Sequence, residues 1–247
     1  MDNRLKEIVD KMDQYKIGLD DPFRFKCRGC GKCCKNREDI LFTVRDLFRI
    51  AKYFKKPISE IIKKYCDCYM GSDSHFPIVR LMTQGTNKSC PFLDGKRCSI
   101  HEVKPVVCAL YPVGRTWMAE KDSIEGSEPK YIPGYILQPM DCGSVRKMNT
   151  VRQWLEKFDI PIEDEFYLEW NKALILFSTH IQEMEKCASG KVLQPIYNLL
   201  FELIYVQYDT EAELIPQFRM NIKKATKFIH EIKNVLQSAA GGESDDK

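Results

Sequence analysis

The chain has 247 residues, of which 44% are hydrophobic and 30% charged, and its formal net charge is +3. A chain of this length can bury a full hydrophobic core without disulfide staples, and the small net charge gives no reason to expect nucleic acid as a partner. Residues 1–10 are charged throughout and lack the apolar core of a signal peptide, and no apolar run approaches the ~20 residues that a membrane span needs. The sequence therefore predicts a cytoplasmic protein that binds neither a membrane nor a specific nucleic acid.

Helical patterns begin the chain. Residues 1–20 are predicted to form a short amphipathic helix whose apolar face consists of Leu5, Ile8, Val9 and Met12. Thr43 and Asp46 have the spacing of a capping box that opens a second helix, which Pro57 ends. The predicted buried stripe of that helix consists of Leu47, Ile50, Ala51 and Phe54. A third, short helix is expected from Ser59 to about Tyr65.

Between residues 66 and 145 the helical patterns vanish, and glycine and proline recur. Residues 76–82 alternate well enough to predict a strand, and residues 96–100 are its expected partner. Asp94 and Gly95 favour the type I′ turn of a hairpin, because this dipeptide tolerates the positive dihedral angles of that turn.

After Cys142 the chain is predicted to be helical again. An apolar stripe runs over residues 151–158 and a longer one over residues 166–184, and helices are expected over 192–208 and 214–236. We therefore predict a predominantly helical α+β fold, in which helices clasp a cysteine-rich region of loops and short strands. The predicted regions are an N-terminal helix (1–23), a metal-binding cysteine-cluster region (24–145), a helical C-terminal region (146–238) and a disordered tail (239–247).

The cysteines carry the strongest functional signal. Four of the eleven lie within eight residues, and the eight that we predict as metal ligands are Cys27, Cys30, Cys33, Cys34, Cys90, Cys98, Cys108 and Cys142. In a reducing cytosol such a group is more typical of a metal site than of a disulfide framework. Residues 24–64 also carry thirteen lysines and arginines against four acids. Basic groups favour the thiolate that binds metal, and they offset the negative charge of a thiolate-ligated centre.

The spacing favours iron over zinc. Cys27, Cys30 and Cys33 repeat the C-x2-C-x2-C run that holds a [4Fe–4S] cluster in bacterial ferredoxins, although Cys34 breaks the rest of that pattern. Structural zinc more often uses two separated C-x2-C knuckles, whereas Cys90 and Cys98 are separated by seven residues. The radical S-adenosylmethionine pattern C-x3-C-x2-C is absent. We predict an iron–sulfur cluster, with zinc as the alternative metal.

The order of these motifs resembles a known family. The run from Cys27 to Cys34, Cys90 before proline, Cys98 before Ser-Ile, and Cys108 within Lys-Pro-x2-Cys-x2-Tyr-Pro are similar to the CxxCxxCC cysteine-cluster family, also called YkgJ-like and described as zinc- or iron-chelating. The resemblance covers about residues 24–145 and makes Cys142 the last cysteine of the pattern. It implies eight metal ligands and a bacterial or archaeal cytosolic setting. A distant relative is the flagellin lysine N-methylase, so the resemblance also allows a methyl-transfer role.

Some residues depart from the pattern or fall outside it. His101 stands where the family usually has tyrosine, and Lys104 and Ala109 stand where it has arginine. His101 follows Cys98 by three residues and is a weaker candidate ligand. Three cysteines, Cys66, Cys68 and Cys187, are left out of the predicted ligand set.

Three functions agree with these residues. The leading hypothesis is a metal-binding protein with one or two iron–sulfur clusters, which transfers electrons or takes part in an oxidoreductase step with a redox or protein partner. The alternatives are a zinc-binding structural or interaction module and a metal-dependent transferase related to the methylase. The sequence has no Gly-rich nucleotide loop and no nucleophile elbow, and it decides neither for nor against an enzyme.

Overall fold

The structure is a computed structural model and describes residues 10–37, 39–119 and 131–241. Over these ranges the chain is a mixed α+β protein, with α-helices and four two-stranded antiparallel sheets. The predicted α+β class is confirmed. That helices predominate, and that they clasp the cysteine-rich region, stays a prediction.

The described elements are numbered here in chain order. The helices are α1 Met12–Tyr15, α2 Val44–Phe54, α3 Ile58–Tyr65, α4 Val106–Leu110, α5 Val151–Glu156, α6 Glu165–Met184, α7 Gly190–Phe201 and α8 Leu214–Gly241, with a 3₁₀ turn over Lys32–Cys34 and a π-helical turn over Glu202–Val206. The strands are β1 Pro22–Lys26, β2 Cys66–Met70, β3 Pro77–Leu81, β4 Leu93–Asp94, β5 Arg97–Cys98, β6 Val113–Ala119, β7 Tyr131–Leu137 and β8 Ser144–Thr150. No helix among the described residues combines the length and apolar character that crossing a membrane requires.

The chain folds into two compact units that are each discontinuous in sequence. The first consists of Met1–Ile40 and Met82–Asp164, and the second of Leu41–Leu81 and Glu165–Lys247. Residues 41–81, which the sequence analysis included in the metal-binding region, thus belong to the second unit. The division into functional regions at residues 23, 145 and 238 stays a prediction.

The core of the first unit is aromatic and centres on Trp154. The rings of Phe23, Phe25 and Phe158 each meet the indole edge-on, with ring centroids 5.8, 5.7 and 5.4 Å from it. The indole N–H donates to the carbonyl oxygen of Leu110 at 2.8 Å, so the buried polar atom of Trp154 is satisfied. This packing ties β1 and α4 to helix α5.

Strand β1 pairs antiparallel with β8, and the register places Pro22 opposite Thr150 and Lys26 opposite Ser144. The last residue of β8 also begins α5, because the Thr150 side chain accepts from the N–H of Gln153 and the Gln153 side chain accepts from the N–H of Thr150. The sequence analysis did not identify this second capping box.

The middle of the chain corrects two predictions about strands. Strand β3 lies within the predicted residues 76–82, but it pairs with β2 and not with residues 96–100. The hairpin near Asp94 is present, with β4 and β5 as its strands, yet its two loop residues are Gly95 and Lys96 rather than Asp94 and Gly95. Gly95 has a φ of 58°, so the glycine supplies the positive dihedral one position earlier in the turn than predicted.

The N-terminal helix is shorter than predicted over the part that the structure describes. Helix α1 ends at Tyr15, and Lys16 forms a β-bridge with Ile136, so residues 16–20 are not helical. The predicted helix face of Leu5, Ile8 and Val9 lies outside the described residues, as does the tail from residue 242 onwards.

In the second unit most helix predictions are confirmed. Helix α2 begins at the predicted capping box, and α3, α6, α7 and α8 cover the predicted segments. The buried face of α6 consists of Phe166, Trp170, Ala173, Phe177, Ile181 and Met184. Helices α6 and α8 run parallel, because Glu169 contacts Arg219 and His180 contacts His230 at the same sequence separation of 50 residues.

Replacing Thr43 by alanine should weaken the start of α2. The Thr43 hydroxyl accepts from the Asp46 N–H at 3.2 Å, and the Asp46 carboxylate accepts from the Thr43 N–H at 3.0 Å. Loss of an N-cap side chain costs about 1 kcal/mol, so amide exchange in α2 should quicken by several-fold to about tenfold. Thr43→Ser retains the hydroxyl and should exchange like the wild type. Equal protection of α2 in all three proteins would show that the cap does not stabilise this helix.

Candidate metal centre

The eight predicted ligands all lie in the first unit and are called the cysteine site below; they are Cys27, Cys30, Cys33, Cys34, Cys90, Cys98, Cys108 and Cys142. All eleven cysteines of the chain are among the described residues, and none forms a disulfide. The other three, Cys66, Cys68 and Cys187, belong to the second unit. Cys66 is buried in β2, and Cys187 follows α6.

The first cysteine loop turns sharply at Gly31. This residue has a φ of 70° and precedes the 3₁₀ turn that carries Cys33 and Cys34, whose sulfurs lie 4.0 Å apart. A Cβ on Gly31 would stand 3.2 Å from Leu93 Cδ1, so the glycine lets this loop approach the β4–β5 hairpin closely. The loop that carries four of the cysteines therefore lies against the hairpin that ends at Cys98.

Backbone hydrogen bonds hold the loop against the segment before that hairpin. The N–H of Cys90 donates to the carbonyl oxygen of Cys34 at 2.8 Å, and Lys35 forms a β-bridge with Ser89. The N–H of Asn36 is shared with two carbonyl oxygens of the same segment. This pairing brings Cys34 and Cys90 together although 56 residues separate them in sequence.

Cys142 reaches the same neighbourhood through the pairing of β1 with β8. Its sulfur lies 3.5 Å from the hydroxyl oxygen of Tyr111, and the ammonium of Lys32 donates to the carbonyl oxygen of Asp141 at 3.3 Å. Gly143 has a φ of 82°, and a Cβ at this position would overlap the ring of Phe25. The Cys-Gly pair thus needs its glycine for both backbone conformation and space.

Backbone N–H groups point at three of the sulfurs. The Gly29 N–H donates to Cys27 Sγ at 3.4 Å. Burial raises the pKa of Cys90 to about 11, an effect opposed by the N–H groups of Phe92 and Leu93, which donate to its sulfur. Burial likewise raises the pKa of Cys98, and the N–H of Ile100 opposes that shift. Hydrogen bonds to sulfur favour the thiolate, which is the form that binds metal.

The thiols of Cys33 and Cys34 behave as a pair. The hydrogen bond with Cys34 lowers the pKa of Cys33 to about 6, and the positive charges of Arg37 and Lys104 act in the same direction. The hydrogen bond with Cys33 and burial raise the pKa of Cys34. One proton shared between two adjacent sulfurs leaves Cys33 as the more readily ionised thiol of the two.

Electrostatic interactions connect most of the cysteine site. An ionised Cys33 would repel the thiolates of Cys90, Cys98 and Cys142, and an ionised Cys30 would repel that of Cys142. Ionised Cys90 and Cys108 would likewise repel the thiolate of Cys34. Seven of the eight thiols therefore share one electrostatic neighbourhood. Cys27 is exposed, and the charge on it acts on Lys157.

Arg37 is a buried cation within this neighbourhood, with 3% of its surface exposed. It pairs with Asp39 and donates to the carbonyl oxygen of Cys33 at 3.3 Å. Although burial disfavours its charge, the pKa of Arg37 is raised by Asp39 and, further, by the charges of Cys108 and Cys33. The sequence analysis counted Arg37 only among thirteen basic residues, because nothing in the local sequence indicates which of them is buried.

Two residues that the sequence marked only as parts of the Cys108 motif, Lys104 and Tyr111, lie near the cysteine site. Lys104 stands 4.4 Å from the ring centroid of Phe158, and its charge acts on Cys33 and Cys98. Tyr111 is 7% exposed and places its hydroxyl beside Cys142. Lys104 provides a positive charge at the position where the family that the sequence resembles has arginine. His101 is exposed, and its pKa is lowered, chiefly by the charge of Lys104.

The described residues supply the donors without the closed geometry of a metal site. Among residues 10–37, 39–119 and 131–241, no group of three or more His, Cys, Asp and Glu side chains is arranged to hold a metal ion. The donor set nevertheless suits a thiophilic metal, because its thiols form no disulfides and are accompanied by cations and N–H groups. Coordination of a shared metal by all eight cysteines, and by His101, stays a prediction.

Comparison with known proteins agrees with this chemistry. Residues 26–127 match the CxxCxxCC family, whose model is described as a "Putative zinc- or iron-chelating domain". The resemblance inferred from the cysteine pattern is therefore confirmed over this part of the chain. The match includes seven cysteines of the site, and Cys142 lies beyond its end.

One relative is the "Uncharacterized protein MJ0661" of Methanocaldococcus jannaschii, which is 33% identical over 110 residues. The aligned residues make up 44% of this chain and 53% of the relative, so the chain matches about half the length of that curated protein. No solved structure matches the chain.

Replacing Gly143 by alanine should disturb the Cys142 side of the site. The new Cβ meets the Phe25 ring and occupies a strained backbone conformation, so amide protection of β1 and β8 should fall by roughly 1–3 kcal/mol. Gly85→Ala is the matched control, because Gly85 also has a positive φ of 68° but no atom within 4 Å of the added Cβ. If both variants lose equal protection in β1 and β8, the close approach to Phe25 is not what requires the glycine.

Proposed function

We propose that the cysteine site binds iron–sulfur, in one or two clusters, and serves electron transfer or an oxidoreductase step. The observation that carries the proposal is the contact of the first cysteine loop with the segment of Cys90: the Cys90 N–H donates to the Cys34 carbonyl oxygen at 2.8 Å, and the sulfurs of Cys33 and Cys34 lie 4.0 Å apart. Electrostatic interactions link these thiols to four others of the site. A single tetrahedral zinc ion uses four protein ligands. Seven or eight thiols near one another are better matched by a polynuclear centre, whose ligands spread over a wider perimeter.

The residues around the thiols have roles that fit this proposal. N–H groups that donate to sulfur, as at Cys90 and Cys98, raise the reduction potential of a thiolate-bound cluster by stabilising negative charge. The buried guanidinium of Arg37 and the ammonium of Lys104 offset the same charge. The bound cluster would supply the redox chemistry itself.

The exposed side of the site suggests where electrons would pass. Cys27 is exposed, whereas Cys33 and Cys142 pack against the aromatic core of the first unit. A cluster held between them would have one face shielded from water and one face toward a partner. We propose a redox protein as that partner, and a cytoplasmic setting in which the thiols stay reduced.

A zinc-binding structural module is the second candidate, and the β4–β5 hairpin favours it. Cys90 precedes this hairpin and Cys98 ends it, and each sulfur accepts an N–H from the residue two positions later. Zinc on these two thiols and two from the first loop would tie the hairpin to the loop without redox chemistry. The methylase-related transferase stays an expectation from the resemblance alone.

Protein purified without oxygen should distinguish the two metals. We expect broad absorption near the visible blue that dithionite bleaches, with iron and acid-labile sulfide in similar amounts. Cys33→Ser should lose most of this absorption, because Cys33 interacts with the largest number of other thiols in the site. Cys187→Ser is the control, since Cys187 lies in the second unit.

A colourless protein with stoichiometric zinc, unchanged by anaerobic reconstitution with iron and sulfide, would rule out the iron–sulfur proposal and favour the zinc module. Absence of both metals from wild-type protein after reconstitution would contradict both candidates.

Removing the metal should loosen the first unit selectively. Metal binding contributes folding free energy where the protein supplies few other contacts, and the segments around residues 27–37 and 84–98 contain only short turns and the two-residue strands β4 and β5. With chelator, amide protection should fall in these segments while residues 41–81 and 165–241 keep theirs. Equal loss in both sets of residues would mean that metal does not order the cysteine site specifically.

A further inference from the structure

The second unit brings two of the chain's four histidines into direct contact. His180 on α6 and His230 on α8 have their Nε2 atoms 2.8 Å apart, and their rings stand nearly perpendicular at 88°. The contact is independent of the cysteine site, because both histidines lie in the other unit. It joins two long parallel helices that each bury apolar side chains, such as Ile181 on α6 and Ile229 on α8.

Charged groups surround the pair on the side of His180. The Glu183 Oε2 atom lies 3.4 Å from His180 Nδ1, and the Lys233 ammonium lies 2.5 Å from the same carboxylate oxygen and 3.4 Å from His180 Nδ1. The His180 side chain is 14% exposed, whereas His230 is exposed. The two Nε2 atoms are thus held in place on one side and are accessible to solvent on the other.

We propose that a divalent transition-metal ion binds between His180 Nε2 and His230 Nε2 and clamps α6 to α8. When two imidazole nitrogens each bind one metal ion at about 2.0 Å, and the nitrogen–metal–nitrogen angle is a right angle, the two nitrogens are about 2.9 Å apart. The observed 2.8 Å meets this requirement with almost no movement of either ring. Imidazole suits zinc, copper and nickel, and water molecules would complete the coordination.

The protons of the two rings can be accommodated. A neutral imidazole carries one proton, and metal on both Nε2 atoms leaves that proton on Nδ1 of each ring. For His180 the Nδ1–H then donates to the carboxylate of Glu183, which is the arrangement that orients most metal-binding histidines. For His230 the exposed Nδ1 can donate to water.

Lys233 limits how tightly this site binds. Its ammonium repels a cation and also pairs with the Glu183 carboxylate that would accept from the His180 Nδ1–H. With two protein ligands the site falls short of the three donors that a preformed metal centre offers, in agreement with the absence of such a group among the described residues. The pair is therefore expected to bind metal reversibly, in contrast to a permanently loaded structural site.

Nickel titration of the full chain, already loaded at the cysteine site, tests the proposal. Amide exchange in α6 and α8 reports binding at the histidines separately from any binding at the thiols, and the protection should rise by up to about 100-fold when free Ni²⁺ is 100 times the dissociation constant. His230→Gln should lose this response, whereas His75→Gln, which alters a histidine of the second unit that belongs to neither site, should retain it. Unchanged exchange in wild-type α6 and α8 at millimolar Ni²⁺ would overturn the proposal.

Lys233→Gln should bind nickel more tightly than the wild type does. A variant that merely failed to fold would not show this gain in affinity. Removal of the ammonium takes away the repulsion and leaves the Glu183 carboxylate free to accept from the His180 Nδ1–H. Nickel should then bind at least about tenfold more tightly, a change of the size that a gained or lost interaction around a bound metal produces. Equal or weaker nickel binding by this variant would show that the histidines form only a hydrogen-bonded pair.

Discussion

The pairing of β1 with β8 is the contact on which the first unit depends. It joins residues 22–26 to residues 144–150, and the chain between them contains every thiol of the cysteine site. Its two ends also deliver Cys27 and Cys142 to the same edge, because Lys26 lies opposite Ser144. The strands are held by the aromatic core around Trp154, so the well-packed part of the unit supports the part that is rich in loops.

Charge is the second constraint on this unit. Thiols that lie close together resist ionisation, since each thiolate raises the pKa of its neighbours and burial adds to the effect. The structure counters this cost with Arg37, Lys104 and backbone N–H groups aimed at sulfur. A bound metal ion would offset the remaining negative charge of the thiolates, because each thiolate is attracted to the cation. The need to offset thiolate charge also explains why the buried Arg37 lies beside cysteines that form no disulfides.

The second unit is stabilised in a different way. Its long helices bury continuous apolar faces, such as the one from Phe166 to Met184 on α6, and they have no comparable need of metal. An ion between His180 and His230 would add a reversible contact to helices that are already packed. Under the two proposals the units would differ in how metal relates to folding: metal would order the cysteine site, whereas the packed helices would present ligands to an ion.

The sequence alone determined the features that depend on neighbours along the chain. The capping box of Thr43 and Asp46, the buried stripe of α6 and the C-x2-C-x2-C run all involve residues a few positions apart, where spacing translates directly into geometry. The family resemblance followed for the same reason, because its motifs are short and ordered. The predicted iron, the ligand set and the electron-transfer role rest on these local patterns.

Only the tertiary structure decided which distant segments meet. Nothing in residues 66–70 marked them as the partner of β3, nothing distinguished Arg37 from the exposed basic residues near it, and no spacing relates His180 to His230 across 50 residues. Such contacts depend on the packing of whole elements, which local propensity and periodicity do not encode. The sequence therefore predicted the thiols as ligands, while the fold determined which of them are neighbours and which cations and N–H groups surround them.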